Sequence, residues 1–88
     1  MNKETNWQDV GYIISSNYRR KILENLKLPK TPSKLSKELN INITHISRAL
    51  TELESKKMIK CLNPELNKGK LYIITEYGKN ILKKTLIV

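Results

Sequence analysis

At 88 residues the chain has room for one small hydrophobic core, and a domain of that size buries a smaller share of its surface than a larger one. Seventeen Lys and Arg against eight Asp and Glu leave a formal net charge of +9, a field that draws polyanions over a Debye length or more and makes nucleic acid the first partner to consider, ahead of an anionic membrane surface. A single cysteine, Cys61, and a single histidine, His45, leave no internal disulfide and no ligand set for structural zinc; no apolar run approaches a membrane span, and Met1 to Asp9 lacks the apolar stretch of a secretory signal, so a cytoplasmic location is expected.

Taken in chain order, Trp7, Val10, Tyr12, Ile13 and Ile14 suit one face of a short helix, with Gly11 weakening it. Ser15 and Ser16 offer capping hydroxyls, after which Tyr18, Ile22, Leu23 and Leu26 recur at helical spacing in a helix expected from about Asn17 to Lys27 and stopped by Pro29. The pair Thr31-Pro32 reads as a helix start, because threonine caps orphan amides and proline at the first helical position has none to lose. That helix runs Pro32 to Leu39, with Leu35 and Leu39 inward and Lys34, Lys37 and Glu38 in water. Asn40-Ile41-Asn42 is the break, asparagine being suited both to a left-handed residue after one helix and to the cap of the next.

The following helix carries Ile46, Leu50 and Leu53 as its apolar line, with Ala49 small beside it, and is expected to end near Lys56. There the period changes from helical to alternating. Ile59 and Cys61 alternate with Lys60 and Leu62; Asn63, Pro64, Asn67 and Gly69 supply turn chemistry; Leu71 to Thr75 alternate again, which makes a hairpin with a polar, basic tip. Thr75 then opens a last helix bearing Tyr77, Ile81, Leu82 and Leu86. The expectation is a mainly α fold with a small β-hairpin, one domain over residues 1–88, with a helix-turn-helix over about 32–56, a wing over about 58–75 and a C-terminal helix over about 76–86.

The stretch from Leu35 to Leu50, LSKELNINITHISRAL, resembles the helix-turn-helix core of MarR-type and ArsR-type regulators and their archaeal relatives. Leu71 to Gly78, LYIITEYG, resembles the second wing strand of the same families leading into the next helix. The resemblance covers roughly Tyr18 to Lys84, and it implies a winged helix-turn-helix that binds double-stranded DNA as a transcriptional regulator. One position departs from the family pattern: a glycine is usual where the recognition helix meets the first wing strand, and Lys57 stands there.

In such a fold the second helix of the pair enters the major groove. With Ile46, Leu50 and Leu53 inward, the opposite face presents Thr44, His45, Arg48 and Thr51. Arg48 is the foremost candidate for a base, because its planar fork matches both acceptors of a guanine edge. Thr44, His45 and Ser47 carry groups that bond bases or phosphates, and Asn42 stands at the helix entry. Lys68 and Lys70, flanking Gly69 at the hairpin tip, are expected to meet phosphates as point charges, and the amides of Ser33 and Lys34 at a helix start can accept another. Arg19, Arg20 and Lys30 are further backbone candidates. All of these residue types are also common on ordinary solvated surfaces. Trp7, Tyr12 and Tyr18 read as core rather than as stacking platforms for single-stranded bases, and Cys61 as a small hydrophobe rather than a redox sensor.

No phosphate-binding glycine loop and no nucleophile beside the histidine are present, so catalysis is not expected, and no motif implies a cofactor or a small-molecule ligand. A winged helix can also serve protein docking or RNA and single-strand binding; a docking version is expected to expose apolar or acidic residues on the helix that here carries Thr44, His45 and Arg48. The apolar residues of the first helix and of Ile81 to Val88 exceed what one small core needs and point to a homodimer through the terminal helices.

Overall fold

The computed structural model describes residues 6–87. Within them the chain forms α1 (Trp7–Ile14), α2 (Asn17–Asn25), α3 (Pro32–Leu39), α4 (Ile43–Ser55), β1 (Ile59–Cys61), β2 (Tyr72–Ile74) and α5 (Glu76–Lys84), closed by a 3-10 turn at Thr85–Ile87. Every helix begins at a side-chain cap. Asn6 accepts from the Gln8 and Asp9 amides, Ser16 from Arg19, Thr31 from Lys34, Asn42 from Thr44 and Thr75 from Gly78, each satisfying a donor that the helix itself leaves orphaned.

The two asparagines of the turn divide the work as the sequence predicts. Asn40 takes the left-handed conformation at φ 56° and ψ 46° after α3, which lets the Ile41 amide reach back to the Ser36 carbonyl at 3.1 Å. The Ser36 hydroxyl donates to the Ile41 carbonyl at 2.6 Å, so the turn is fastened from both sides and Ile41 is driven into the core. At the end of α4, Lys57 is the other non-glycine residue with positive φ among the described residues, at 68°. The Met58 amide bonds the Leu53 carbonyl and the Lys57 amide bonds the Glu54 carbonyl, both at 3.0 Å, which is the paired pattern of a left-handed helix stop that glycine usually fills.

One apolar cluster holds the elements together: Val10 and Ile13 from α1, Ile22, Leu23 and Leu26, Leu35, Ile41, Ile46, Leu50 and Leu53 from α4, then Met58, Ile59, Ile74, Ile81 and Leu82. β1 and β2 pair antiparallel with Ile59 opposite Ile74 and Cys61 opposite Tyr72. A further bridge joins Lys30 to Tyr72, with the Tyr72 amide on the Lys30 carbonyl at 2.9 Å. Just before it the Ile74 amide takes the Leu26 carbonyl at 2.9 Å, which pulls the chain off the helix axis. For this reason α2 stops at Asn25 rather than at the expected Lys27. α5 likewise gives way after Lys84 to the 3-10 turn, where the Thr85 hydroxyl donates to the Leu82 carbonyl at 2.6 Å.

Gly78 is the glycine with no room for a side chain. A Cβ there would stand 2.1 Å from the Met58 carbonyl oxygen, so only glycine lets α5 lie against the connection between α4 and β1. Thr75 ties the same corner, its amide bonding the Met58 carbonyl at 2.9 Å and its hydroxyl donating to the Lys57 carbonyl at 2.7 Å.

The sequence reads Trp7, Tyr12 and Tyr18 as core, and the structure moves Trp7 and Tyr18 out. Asp9, Val10 and Ile13 form the buried face of α1, which leaves Trp7 at 56 % and Ile14 at 46 % exposure beside it, while Tyr18 is 43 % exposed. Tyr12 is half-buried and polar in its partners. Its hydroxyl donates to Glu52 at 2.6 Å, and its ring lies 3.8 Å from the Arg19 guanidinium carbon and 4.6 Å from the Lys56 ammonium. Tyr77 on α5 donates to Asp9 on α1, and Lys56 of the cap after α4 reaches the same carboxylate at 3.6 Å. The first helix is therefore clamped by two tyrosine–carboxylate bonds as well as by its apolar face. Burial, reinforced by these carboxylates, pushes the phenols of Tyr12 and Tyr77 up to about 12.

Candidate nucleic-acid interface

α4 buries Ile46, Ala49, Leu50 and Leu53, and this periodicity turns Thr44, His45, Ser47, Arg48 and Thr51 outward, all of them exposed. Arg48 makes no ion pair or hydrogen bond among the described residues, so its guanidinium is free to engage a ligand. Thr51 is partly occupied, donating to the Ser47 carbonyl at 3.1 Å. Asn42 has its side-chain oxygen on the Thr44 amide at 2.8 Å, which leaves only its amide nitrogen to reach outward.

Two depressions flank this helix. On one side a cleft of about 450 Å³ lies between the start of α3, the start of α4 and the wing, lined by Thr31, Pro32, Ser33, Ile43, Ser47 and the tip residues Asn67 to Lys70 with Tyr72. It brings together four of the residues singled out in the sequence: Ser33, Ser47, Lys68 and Lys70. On the other side a cleft of about 280 Å³ is bounded by Ser16, Tyr18 and Arg19 from the start of α2 and by His45, Arg48, Ala49 and Glu52 from α4.

The wing tip owes its shape to one side chain. Asn63 accepts from the Leu71 amide at 2.8 Å and donates to the Gly69 carbonyl at 3.2 Å, bridging the loop, while Gly69 turns it at φ 72°. Lys68 and Lys70 emerge from this closed tip with no carboxylate near them among the described residues. Asn63 reads in the sequence only as turn chemistry; its role as the clasp becomes visible once the two sides of the loop face each other.

Several basic residues prove to be structural. Arg19 donates to the Tyr12 carbonyl at 2.8 Å and to Ser15 at 3.0 Å, and approaches Glu52 at 3.8 Å. Lys30 bonds Glu38 at 2.6 Å with its side chain only 15 % exposed, and Lys34 meets the same carboxylate at 3.3 Å. Lys30 first and Lys34 second hold the Glu38 carboxyl below its ordinary range. The Lys34 amide is taken by the Thr31 hydroxyl at 3.2 Å, so of the two amides read as an anion cradle only that of Ser33 lacks a partner. Tyr18, read as core, stands instead against His45 with ring centroids 5.5 Å apart.

A capped helix pair, a turn fastened by two asparagines, an exposed polar helix and a basic hairpin beside it define a winged helix-turn-helix. The family model described as winged helix-turn-helix matches residues 18–86, and the chain belongs to that family. Among solved structures, a MarR family transcription regulator is 25 % identical at a TM-score of 0.74 over 91 % of this chain and 55 % of its own. MarR from Escherichia coli, as a mutant complexed with operator DNA, is 25 % identical at 0.72 over 89 % of this chain and 58 % of its own. The adhesin competence repressor of Streptococcus pyogenes shares the fold, at 20 % identity and 0.70 over 92 % and 68 %. The chain thus spans somewhat more than half the length of the first two regulators it matches. Among curated protein sequences none matches it. No described helix is long and apolar enough to cross a membrane, and no group of three metal-binding side chains occurs among the described residues.

Proposed function

We propose that the chain binds double-stranded DNA in the cytoplasm as a transcriptional regulator, with α4 in the major groove and the wing on the backbone or in the minor groove. The observation that carries this reading is the outward face of α4, which holds Thr44, His45, Ser47 and an unpaired Arg48 between two clefts, one of them roofed by Lys68 and Lys70. On a chain of net charge +9 that arrangement offers donors to base edges in the middle and cations to phosphates at one side. The relative complexed with operator DNA supports it, and that the solved relatives are transcription regulators supports a role without catalysis. Ser33 and Ser47 face the wing-side phosphate path, Asn42 marks the entry of the helix, and Lys34 serves through its charge, shared with Glu38. A two-fold homodimer presenting two such helices is part of the same reading.

Arg48 is the test. A bidentate contact to guanine is worth about 1–3 kcal/mol, roughly five- to 150-fold between right and wrong base. Arg48→Ala is expected to lose that much affinity for a duplex selected from a random pool and far less for a scrambled duplex at the same salt. Arg48→Lys restores charge without the fork and should stay impaired in discrimination. Equal weakening on both duplexes makes Arg48 a phosphate contact; no weakening on either takes α4 out of the groove.

A further inference from the structure

Among the described residues Tyr18 is the aromatic side chain that lines the cleft with His45 and Arg48, and it stands 43 % exposed rather than in the core. It belongs to the first turn of α2, yet its ring leans over the first turn of α4, with its centroid 5.5 Å from that of His45 and the planes tilted by 42°. The separation lies within the range at which aromatic rings attract beyond their mere burial, with the tilt between the offset-stacked and edge-to-face arrangements. Ala49, one helical turn after His45, lines the same cleft, and its small side chain leaves room for the ring. Neither the Tyr18 hydroxyl nor the His45 ring nitrogens have a hydrogen-bond partner among the described residues, so the ring contact with Tyr18 constrains the imidazole where no hydrogen bond does.

We propose that Tyr18 is a positioning residue for recognition: by stacking on His45 it holds the imidazole in one orientation toward the groove and thereby sharpens base discrimination. The inference rests on the reading of α4 as the groove helix. An exposed side chain that must be ordered on binding costs rotamer entropy at that moment. His45 packed against Tyr18 is ordered beforehand, and its ring nitrogens meet the same base edge each time. Arg19 fixes the base of the arrangement, since its bonds to Tyr12 and Ser15 tie the start of α2 to the end of α1. The sequence conceals all of this, because Tyr18 falls on the same helical spacing as the buried Ile22 and Leu26.

The experiment has a DNA-free arm and a DNA arm, both on the full chain. In the free protein, the His45 ring protons of wild type and of Tyr18→Phe should show the same ring-current shielding by NMR, and Tyr18→Ala should lose it; identical shifts in all three overturn the stack. In titrations, Tyr18→Ala should weaken binding to the selected duplex by roughly 2- to 10-fold, the worth of an aromatic pair, with little change on the scrambled duplex. Tyr18→Phe should bind as wild type. In a His45→Ala background Tyr18→Ala should have no further effect. Equal loss on both duplexes, or a Tyr18→Phe variant as weak as Tyr18→Ala, assigns the tyrosine to a direct hydroxyl contact and overturns the positioning role, as does additivity with His45→Ala. A wild-type protein that does not discriminate between the duplexes overturns the groove reading and this role together, whereas a discriminating wild type with an equally discriminating Tyr18→Ala variant overturns this role alone.

Discussion

Two residues bear the backbone geometry of the corner where α4, β1 and α5 meet, and they respond to substitution in opposite directions. Gly78 lies where a Cβ would stand 2.1 Å from a backbone oxygen and 2.8 Å from the Ile74 side chain. Gly78→Ala therefore forces α5 off the corner, and a cost of about 2–3 kcal/mol is expected, seen in thermal unfolding as a Tm lowered by roughly 8–20 °C in a domain this small. Lys57 has the reverse problem, since its φ of 68° is unfavourable for any residue with a Cβ. Lys57→Gly should raise stability by about 0.5–1 kcal/mol, the relief of left-handed strain less the backbone entropy of glycine. A fall in Tm for Lys57→Gly would show that the lysine side chain contributes more than its backbone costs. These local features were legible in the sequence: Thr31-Pro32, Asn40 and Asn42, the odd lysine at the helix stop and the Thr75 cap are short-range chemistry that a linear reading captures. What it could not capture is pairing at a distance. Tyr12 and Glu52 are separated by 40 residues and Asp9 and Tyr77 by 68; a tyrosine that ends on a carboxylate has the same helical spacing as one that ends in the core.

At the scale of elements, α1 and the wing are both held by polar bonds, and each yields a measurement. Tyr77 and Tyr12 join α1 to α5 and α4, with both phenols pushed up to about 12 by burial and by their carboxylate partners. Because the folded state keeps these groups protonated above the ordinary tyrosine value near 10, their contribution to stability is complete below pH ~10 and is lost as pH rises toward ~12. Denaturant midpoints measured across that window should fall for wild type. Tyr77→Phe should be less stable at neutral pH by about 1–3 kcal/mol, through the hydrogen bond lost from the buried Asp9, and its alkaline fall should be shallower; an unchanged alkaline slope would mean that the phenol is not the titrating group. For the wing, Lys68→Ala with Lys70→Ala should flatten the slope of log affinity against log salt by about one to two units. Sequence preference should survive, since both side chains are point charges above a cleft. An unchanged slope places the wing away from the backbone. The wing was legible as a basic hairpin tip, but the closing role of Asn63 and the diversion of Arg19 and Lys30 into structural bonds were not, because composition counts a cation without showing the carboxylate or carbonyl that it already serves.

At the scale of the whole molecule the proposed reading asks how one small domain would present two recognition helices, and the distribution of apolar surface bears on it. Ile81 and Leu82, counted in the sequence as surplus, lie in the core, and Thr85 is buried beside them. What stays outside is Trp7 and Ile14 on α1, sharing a face with the exposed Gly11, together with Leu86 and Ile87 of the 3-10 turn at 76 % and 70 % exposure. Val88 lies outside the described residues. The exposed face of α1 carries no Lys or Arg, so on a chain of +9 it is a surface over which a second copy can approach with little repulsion. A dimer contact of ordinary size removes about 800 Å² from each partner, of which the exposed apolar side chains of α1 and the terminal turn would form the centre. The expectation is a two-fold dimer that sets its α4 helices about 34 Å apart, one turn of duplex. Sedimentation at micromolar concentration should show a species of twice the 10.3 kDa chain. Leu86→Glu with Ile87→Glu should convert it to monomer with Tm nearly unchanged, since neither side chain is in the core, and should weaken binding to a palindromic duplex far more than to a single half-site, because only the former uses both helices. Truncation after Lys79, by contrast, removes Ile81 and Leu82 and should unfold the domain outright. A monomer at every concentration, free and on DNA, would leave the exposed faces of α1 and the terminal turn without this role and would require the domain to read its site with a single helix.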